Sequence, residues 1–448
     1  MVRVRLSLAG VCAAAAMLGC GPERPAALEP VKVGVISSTS GPLATFGSVL
    51  QDAVVLASEN VNAAGGVFGG RPLQLEIVDS ESDAAIARAR ANDLVAAGVV
   101  AIVGPETSGQ SEQVLEVATN GAVPMVSCCA TSTSLSSNSA GRAGFFFRTA
   151  PSDALQGKAL AYVARQGVRE NGVDVDACPQ AAFFSRGDSY GDGFKTVFDA
   201  NYSNTLVNGE LATIVASGEF AVDDPNVNDI QTAANAFASA IEANANPTKA
   251  LCVVFITFGF EGGQLVKALD ARLSTTSLNY HYLTGDGAQQ ASFLSEMQSE
   301  SPALLAKVVG TVPFHAENAA YDEFAVAFEA RHGTPPPALS AQAFDAMFIT
   351  ALAVAKANST VGVDVRNALF SVSGGDGGSR FENGNFFGEI AGAILEGQDV
   401  DYVGPSGDLT FSDVGDVQGD YVIWQVASVD STVRFVDKVP LPVSVFDP

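Results

Sequence analysis

The stretch "VVAIVGPETSG" (residues 99–109) decides the fold. Residues 99–103 form an uninterrupted apolar run, which is typical of a strand covered on both faces. Gly104 and Pro105 end this run, and Ser108 stands where it can cap a following helix. A buried strand that leads through a short polar loop into a helix is the building unit of parallel α/β sheets.

The same unit recurs on both sides of this stretch. Before it, the runs "VKVGVIS" (31–37) and "LQLEIVD" (73–79) alternate with segments of helical spacing, and "VPMVS" (123–127) follows it. A second series of this kind begins after Thr149. The pattern predicts two doubly wound α/β units with mainly parallel sheets.

Two segments do not fit the alternation. Residues 218–229 are acidic, and we expect a surface insertion there. Residues 371–410 are rich in glycine, and we expect a loop.

Length and charge narrow the class of protein. The 448 residues are 47% hydrophobic and only 16% charged, which indicates an ordered chain of two or three domains. The chain has 24 basic and 49 acidic residues, a net charge of −25. Such a chain repels nucleic acids and anionic lipid surfaces, so neither is an expected partner.

The N-terminus has the features of an export signal. Arg3 and Arg5 precede an apolar stretch, residues 6–18, that is too short to span a bilayer. "MLGC" (17–20) resembles a bacterial lipobox, so residues 1–19 are predicted to be a lipoprotein signal peptide and Cys20 the lipidated residue. Residues 20–30 would be a tether, and the protein a membrane-anchored lipoprotein of the periplasm or cell surface. The alternative is ordinary cleavage beside an incidental cysteine.

Four cysteines remain after Cys20, and four allow three pairings. Cys178 and Cys252 each stand at the entrance of a predicted strand, so neighbouring strands would bring them within bridging range. A disulfide between the adjacent Cys128 and Cys129 needs a strained small ring, so we expect free thiols there. The alternation of the preceding strand predicts that Cys128 points into the first unit.

The motifs "VGVISSTSGPLATFG", "NAAGGVFGGRPLQLEIVDSESD", "VVAIVGPETSG" and "VPMVSCCATS" resemble those of the type I periplasmic binding proteins, in particular receptors for leucine, isoleucine and valine. The resemblance covers residues 31–436. It implies two lobes joined by three hinge crossovers, with the ligand trapped in the cleft between them and delivered to an ABC-type permease. Lobe 1 would comprise residues 31–149 and 313–410, and lobe 2 residues 150–312 and 411–448.

The resemblance implies that residues following three strands of lobe 1 bind the ligand. They are Phe46, Thr107, Ser108, Cys129, Ala130 and Thr131. Ser108 and Thr131 would donate to a ligand carboxylate, which suits an anion site at a helix start. Cys129 would offer backbone groups, and Phe46 would be an aromatic wall unless it packs in the core.

Lobe 2 would supply the opposite wall. Tyr190 would close over the ligand, Phe258 or Phe260 would be a second aromatic wall, and Asp286 would pair with a ligand ammonium. Hydroxyls in one lobe and a carboxylate in the other suit a zwitterion, which alone satisfies both halves. The predicted ligand is therefore a small amino acid or a related compound, and Phe46 and Phe258, which lack hydroxyls, favour an apolar side chain.

Nothing in the sequence indicates an enzyme, a metal site or a cofactor. The histidines, His281, His315 and His332, have no metal-binding spacing, and no phosphate loop, nucleophile elbow or dinucleotide fingerprint occurs. Two alternatives remain open at this point. One is a ligand-sensing protein for a signalling partner, and the other is a hydrolase that uses Cys129 as its nucleophile.

Overall fold

A computed structural model describes residues 28–136, 144–222, 227–314, 317–374, 378–381 and 387–447. The predicted signal peptide, Cys20 and most of the tether lie outside these residues. The described chain is an α/β protein with two main sheets.

The strands follow one another in this order: β1 (Val31–Ser37), β2 (Leu73–Asp79), β3 (Ile102–Val103), β4 (Met125–Ser127), β5 (Phe146–Arg148), β6 (Val168–Glu170), β7 (Val173–Val175), β8 (Gln180–Arg186), β9 (Leu206–Val207), β10 (Glu210–Leu211), β11 (Thr213–Phe220), β12 (Leu251–Ile256), β13 (Tyr280–Thr284), β14 (Val308–Pro313), β15 (Ser379–Phe381), β16 (Val400–Gly404), β17 (Gly407–Asp408), β18 (Tyr421–Val429) and β19 (Thr432–Leu441).

The α-helices are α1 (Ala44–Ala63), α2 (Ala84–Ala96), α3 (Ser108–Asn120), α4 (Asp153–Gln166), α5 (Ser189–Tyr202), α6 (Val227–Asn244), α7 (Gly259–Leu273), α8 (Ala291–Met297), α9 (Pro302–Leu305), α10 (Ala319–His332), α11 (Ser340–Ala357), α12 (Gly362–Val372), α13 (Phe387–Leu395) and α14 (Val443–Phe446).

The first sheet has the strand order β2-β1-β3-β4-β5, and all its pairs are parallel. Apolar side chains of α1 and α11 cover one face, and those of α2 and α3 cover the other. The chain leaves β1 and β3, which are neighbours, toward opposite faces. The crevice beyond their C-terminal ends is therefore the expected ligand position in an open parallel sheet.

The second sheet has the order β11-β8-β12-β13-β14-β18-β19. Its first five strands are parallel, while β18 and β19 are antiparallel additions. Helices α4 and α5 cover one face, and α6 and α7 cover the other. This agrees with the prediction of a mainly parallel second unit.

The late helices return to the first sheet. Apolar residues of α10, α11, α12 and α13 join the same core cluster as β1 and α1. We call the first sheet with its helices lobe 1, and the second sheet with its helices lobe 2. The chain passes between them three times: from β5 to α4, from β14 to α10, and from β17 to β18.

Helix α11 is an apolar helix in the core of lobe 1, and 16 of its residues are buried. Among the described residues, no single helix is long and apolar enough to cross a membrane; α11 and α12 meet that criterion only as a pair bent by 110°.

Of the two predictions about irregular segments, the one for residues 371–410 was wrong. The described part of residues 371–410 includes helix α13 and strands β15 to β17. Four residues of α13, among them Phe387 and Ile390, bury one side of that helix against lobe 1. In the predicted insertion at 218–229, residues 218–220 complete β11 and residues 227–229 begin α6. Residues 223–226 lie outside the described part.

The structure contains the predicted disulfide between Cys178 and Cys252, whose Cα atoms are 5.7 Å apart. It lies at the entrances of β8 and β12, which are neighbours in register from Leu251 opposite Gln180. The expectation of free thiols at Cys128 and Cys129 was wrong, because these two residues form a disulfide as well. The strand alternation ends at Ser127, and the chain bends at both cysteines, which brings their sulfurs together.

Replacing both Cys178 and Cys252 with alanine should lower the free energy of unfolding by about 2–5 kcal/mol, because that disulfide closes a long loop of the unfolded chain. The matched control is the Cys128→Ala, Cys129→Ala protein. Its free energy of unfolding should fall less, since the disulfide it lacks joins adjacent residues. Guanidinium unfolding under oxidising conditions measures both. An equal loss in the two proteins would contradict the loop argument.

Candidate functional site

A small cavity lies where the C-terminal ends of the two sheets face each other. It encloses about 280 Å³ outside the protein atoms, including the part open to solvent. Only about 10 Å³ of this space can be occupied by the centre of a water-sized sphere, so the closed cavity has room for about one water molecule. Its lining consists of Phe46, Glu106, Thr107, Ser108, Cys129, Thr131, Tyr190, Phe258, Asp286, Gly287 and Leu339.

All the ligand-binding residues predicted from the sequence line this cavity except Ala130. The N–H of Ala130 donates to Ser127 Oγ at 3.1 Å, and its carbonyl accepts from Arg148 at 3.1 Å. Its side chain packs with the core on the α2 and α3 face of lobe 1. Of the two phenylalanines left open, Phe258 lines the cavity and Phe260 packs against the lobe 2 core.

The sequence did not predict three lining residues. Glu106 and Gly287 are direct neighbours of predicted ones, so the loops were identified and the residues missed. Leu339 comes from the loop before α11, and its backbone is left-handed at φ 66°. Non-glycine residues seldom adopt this conformation, but a single sequence contains no signal for it at a leucine.

The lobe 1 wall is built on the start of α3. Thr107 is the N-cap and Ser108 the first helical residue, so the expectation that Ser108 caps the helix was wrong by one position. Ser108 Oγ instead accepts a hydrogen bond from the N–H of Ser132 at 3.1 Å. The first N–H groups of a helix have no partner within it, so this end of α3 can stabilise an anion.

The loop after β4 forms the rest of this wall, and hydrogen bonds from Arg148 hold this loop in place. The guanidinium of this fully buried side chain donates to the carbonyls of Ala130 and Ser132 and pairs with Asp416 at 2.7 Å. Asp416 belongs to the segment between β17 and β18. The arginine therefore connects the cavity wall to a crossover between the lobes.

Within that loop, the two bonded cysteines contact different surroundings. Cys129 lines the cavity, while Cys128 lies among residues of the lobe 1 interior such as Val35 and Leu50. The predicted direction of Cys128 is therefore confirmed. The disulfide also removes the thiolate that a hydrolase using Cys129 would need as its nucleophile.

The lobe 2 wall consists of residues that follow β8, β12 and β13. The hydroxyl of Tyr190 donates to Asp286 Oδ1 at 3.1 Å and accepts from the N–H of Gly287 at 3.3 Å. The ring of Tyr190 stacks on Phe258 with centroids 5.8 Å apart. Arg186 lies over Phe258 at 4.4 Å from the ring centroid, and it pairs with Asp188 and Glu261.

All charged side chains in the described lining of the cavity are acidic. Among the described residues, its lining holds two carboxyl groups, Glu106 and Asp286, and no basic side chain. Burial raises the pKa of Asp286 to about 6, although its hydrogen bonds with Tyr190 and Gly287 favour the carboxylate. Burial also raises the pKa of Glu106. A cation in the cavity would favour the charged form of both carboxyls.

The two lobes touch beside the cavity. Ser132 Oγ in lobe 1 donates to the carbonyl of Ser189 in lobe 2 at 2.8 Å. Leu43, just before α1, is part of the lobe 2 core cluster that includes Tyr190 and Phe258. The arrangement is therefore a closed cleft. No group of three or more potential metal ligands occurs in the described part of the chain.

Comparisons with known proteins identify the family of this chain and several relatives. Residues 30–389 match the family model described as a periplasmic binding protein. The Leu/Ile/Val-binding protein BraC3 of Rhizobium johnstonii is 27% identical over 269 residues, which are 60% of this chain and 65% of that protein. The chain thus spans slightly less than two thirds of this relative's length.

Two solved structures share the fold. The branched-chain amino acid transporter substrate-binding protein LivJ of Streptococcus pneumoniae, in complex with isoleucine, has a TM-score of 0.67 at 20% identity over 91% of this chain and 100% of its own. An ABC transporter solute-binding protein of R. palustris, in complex with benzoate, has a TM-score of 0.64 at 16% identity over 92% of this chain and 97% of its own. The predicted type I periplasmic binding protein fold is confirmed.

Replacing Tyr190 with phenylalanine should raise the pKa of Asp286 above about 6. The lost hydroxyl donates to the carboxylate, and a hydrogen bond to a charged group contributes about 1.5 kcal/mol or more, so the rise should be about 1. Carboxyl ¹³C NMR titration of the ligand-free protein measures it. Tyr162→Phe, at a half-buried tyrosine elsewhere in lobe 2, should leave this pKa unchanged. An unchanged pKa in Tyr190→Phe would show that the hydroxyl does not stabilise the carboxylate.

Proposed function

This chain belongs to the periplasmic binding protein family, and we propose that it captures a small amino acid between its lobes and delivers it to an ABC transporter. The observation that carries the proposal is the opposed chemistry of the two walls. Hydroxyls and a helix N-terminus line the cavity from lobe 1, and a buried carboxyl faces them from lobe 2.

The lobe 1 wall suits the carboxylate of an amino acid. The start of α3 carries a partial positive charge, and Ser108 and Thr131 provide hydroxyls at the cavity. Thr131 is held there by its own carbonyl, which accepts from the N–H of Asp153 at 2.8 Å. An anion at this place needs no lysine or arginine, which agrees with the absence of basic side chains from the described lining.

The lobe 2 wall suits the ammonium group. Asp286 is 4% exposed and has no basic neighbour in the described lining, so an ammonium would supply the missing countercharge. Since the two polar ends of the ligand bind to different lobes, only a bound zwitterion satisfies both at once. Ligand binding would therefore favour the closed cleft over the open one.

The proposal also concerns the transport partner of the protein and its location in the cell. BraC3 is by name a Leu/Ile/Val-binding protein, and LivJ by name serves a branched-chain amino acid transporter. By analogy, the protein would act outside the cytoplasm with a permease as its partner. The relatives support a binding role rather than an enzymatic one. Anchoring through a lipid on Cys20 would keep it near that permease.

Replacing Asp286 with asparagine should weaken amino acid binding at least about thirtyfold, since loss of a buried charge partner costs about 2–5 kcal/mol. The amide still accepts from Tyr190, so the fold is retained. A thermal-shift screen of the twenty L-amino acids on the wild-type protein first identifies the ligand, and calorimetry then measures its affinity. At about 100-fold its dissociation constant, a ligand should stabilise the protein by about 2.7 kcal/mol.

The matched control is Asp430→Asn, which removes a carboxylate that is 93% exposed in lobe 2. Its affinity should equal that of the wild type. Unchanged affinity in Asp286→Asn would place the ammonium elsewhere. A screen in which no L-amino acid changes the melting temperature would refute the ligand class itself.

The proposed lipid anchor on Cys20 can be tested separately. Intact-mass spectrometry of protein extracted from membranes should show a chain that begins at Cys20 and carries acyl groups, and Cys20→Ser should appear in the soluble fraction. A chain cleaved elsewhere and free of lipid would refute the anchor and leave the binding function untouched.

A further inference from the structure

Glu106 lines the cavity, yet the proposed contacts with an α-carboxylate and an α-ammonium make no use of it. It lies in the loop between β3 and α3, on the lobe 1 side, and its side chain is 4% exposed. A carboxyl at this position in an otherwise hydroxyl-lined wall requires its own explanation.

The surrounding backbone is shaped around this carboxyl. Glu106 Oε1 accepts the N–H of Ser38, which follows β1, at 2.7 Å. Gly47, in the first part of α1, provides the space: a Cβ there would lie 2.6 Å from Glu106 Oε1 and 2.2 Å from the carbonyl oxygen of Ser38. Glycine is unfavourable inside a helix by about 1 kcal/mol, so its presence here is consistent with a need for this close approach.

The N–H and hydroxyl of Ser38 and the N–H of Glu106 itself hydrogen-bond the carboxylate, yet they do not offset its burial. The charged neighbour that acts on it, Asp79, is itself acidic, and both burial and this neighbour raise the pKa of Glu106. An apolar side chain would fill such a position at lower cost, because burying a charge without a counterion is strongly unfavourable. A ligand group that carries positive charge would supply the counterion that the described lining lacks, and a neutral donor would add a further hydrogen bond.

We propose that Glu106 binds the side chain of the ligand and selects amino acids whose short side chain ends in a hydrogen-bond donor, such as an amine or an amide. This rests on the proposed amino acid function and names its ligand class. The closed cavity is small, so only a short side chain would fit beside Glu106 without wide separation of the lobes.

The aromatic walls are compatible with this ligand class. Phe46, Tyr190 and Phe258 line the same cavity as Glu106. The prediction of an apolar ligand side chain rests on the phenylalanines, which lack hydroxyls. Aromatic ring faces also attract cations, so these walls are compatible with an ammonium group on a short methylene stem.

The test uses pairs of amino acids with the same shape and different ends. L-2,4-diaminobutyrate and L-norvaline differ by an ammonium in place of a methyl, as do L-ornithine and L-norleucine, and L-glutamine adds a neutral donor. Calorimetry on the full-length protein should show that at least one donor-bearing ligand binds tenfold or more tightly than the apolar ligands. If L-norvaline or L-norleucine binds as tightly as its partner, the inference is wrong.

Two variants separate binding from a structural role. Glu106→Gln keeps an oxygen for the N–H of Ser38, and it should reduce the preference for L-2,4-diaminobutyrate or L-ornithine at least tenfold while L-norvaline and L-norleucine bind as before. In the same variant, the affinity for L-glutamine, whose side chain is a neutral donor, should fall less. Glu106→Leu should reverse the preference. The control Glu396→Gln, at an exposed glutamate of lobe 1, should leave all of these affinities unchanged.

The remaining outcomes are distinguishable. If both Glu106 variants lower the melting temperature and weaken all ligands equally, Glu106 only supports the loop at Ser38, and the inference fails. If apolar and donor-bearing amino acids bind equally well, the inference fails while the amino acid function stands. If none of these amino acids binds even to the wild-type protein, the proposed function fails with it.

Discussion

Two carboxyl groups from opposite lobes, Glu106 and Asp286, are buried in one cavity whose described lining contains no basic side chain. This constraint determines most of what the site can do. Burying a carboxylate without a counterion is costly, and the raised pKa values of both groups reflect that cost. The cleft is therefore best completed by a ligand that brings positive charge.

The rest of the structure holds these groups in place. Parallel strands bring the loops after β1, β3 and β4 together in lobe 1, and those after β8, β12 and β13 in lobe 2. Arg148 fixes the loop after β4 through two carbonyls and connects it to Asp416 in a crossover. Tyr190 orients Asp286 by a direct hydrogen bond. These hydrogen bonds and the ion pair hold the two walls in place.

Much of the fold and of the site was predictable from the sequence because both depend on local patterns. Apolar runs that pass through polar loops into helices identified the parallel sheets, and the same loops contain Ser108, Thr131, Tyr190 and Asp286. Leu339 was missed because it enters the cavity from a segment far along the chain with an unusual backbone conformation. Glu106 was missed because a glutamate in a loop is ordinarily solvent-exposed, whereas here the fold leaves it only 4% exposed. The disulfide between Cys128 and Cys129 depends on a bend after β4 that the strand pattern does not indicate.

The central claim is that one amino acid bridges the two walls, with its carboxylate on lobe 1 and its ammonium on Asp286. The most direct measurement compares, on the wild-type protein, the affinity of the best-binding L-amino acid with those of its carboxamide and of the analogue that lacks the α-amino group. Since each analogue removes one of the two charged ends, both should bind at least about thirtyfold more weakly than the parent. An analogue that binds as tightly as the parent amino acid would show that the corresponding wall does not hold that end of the ligand.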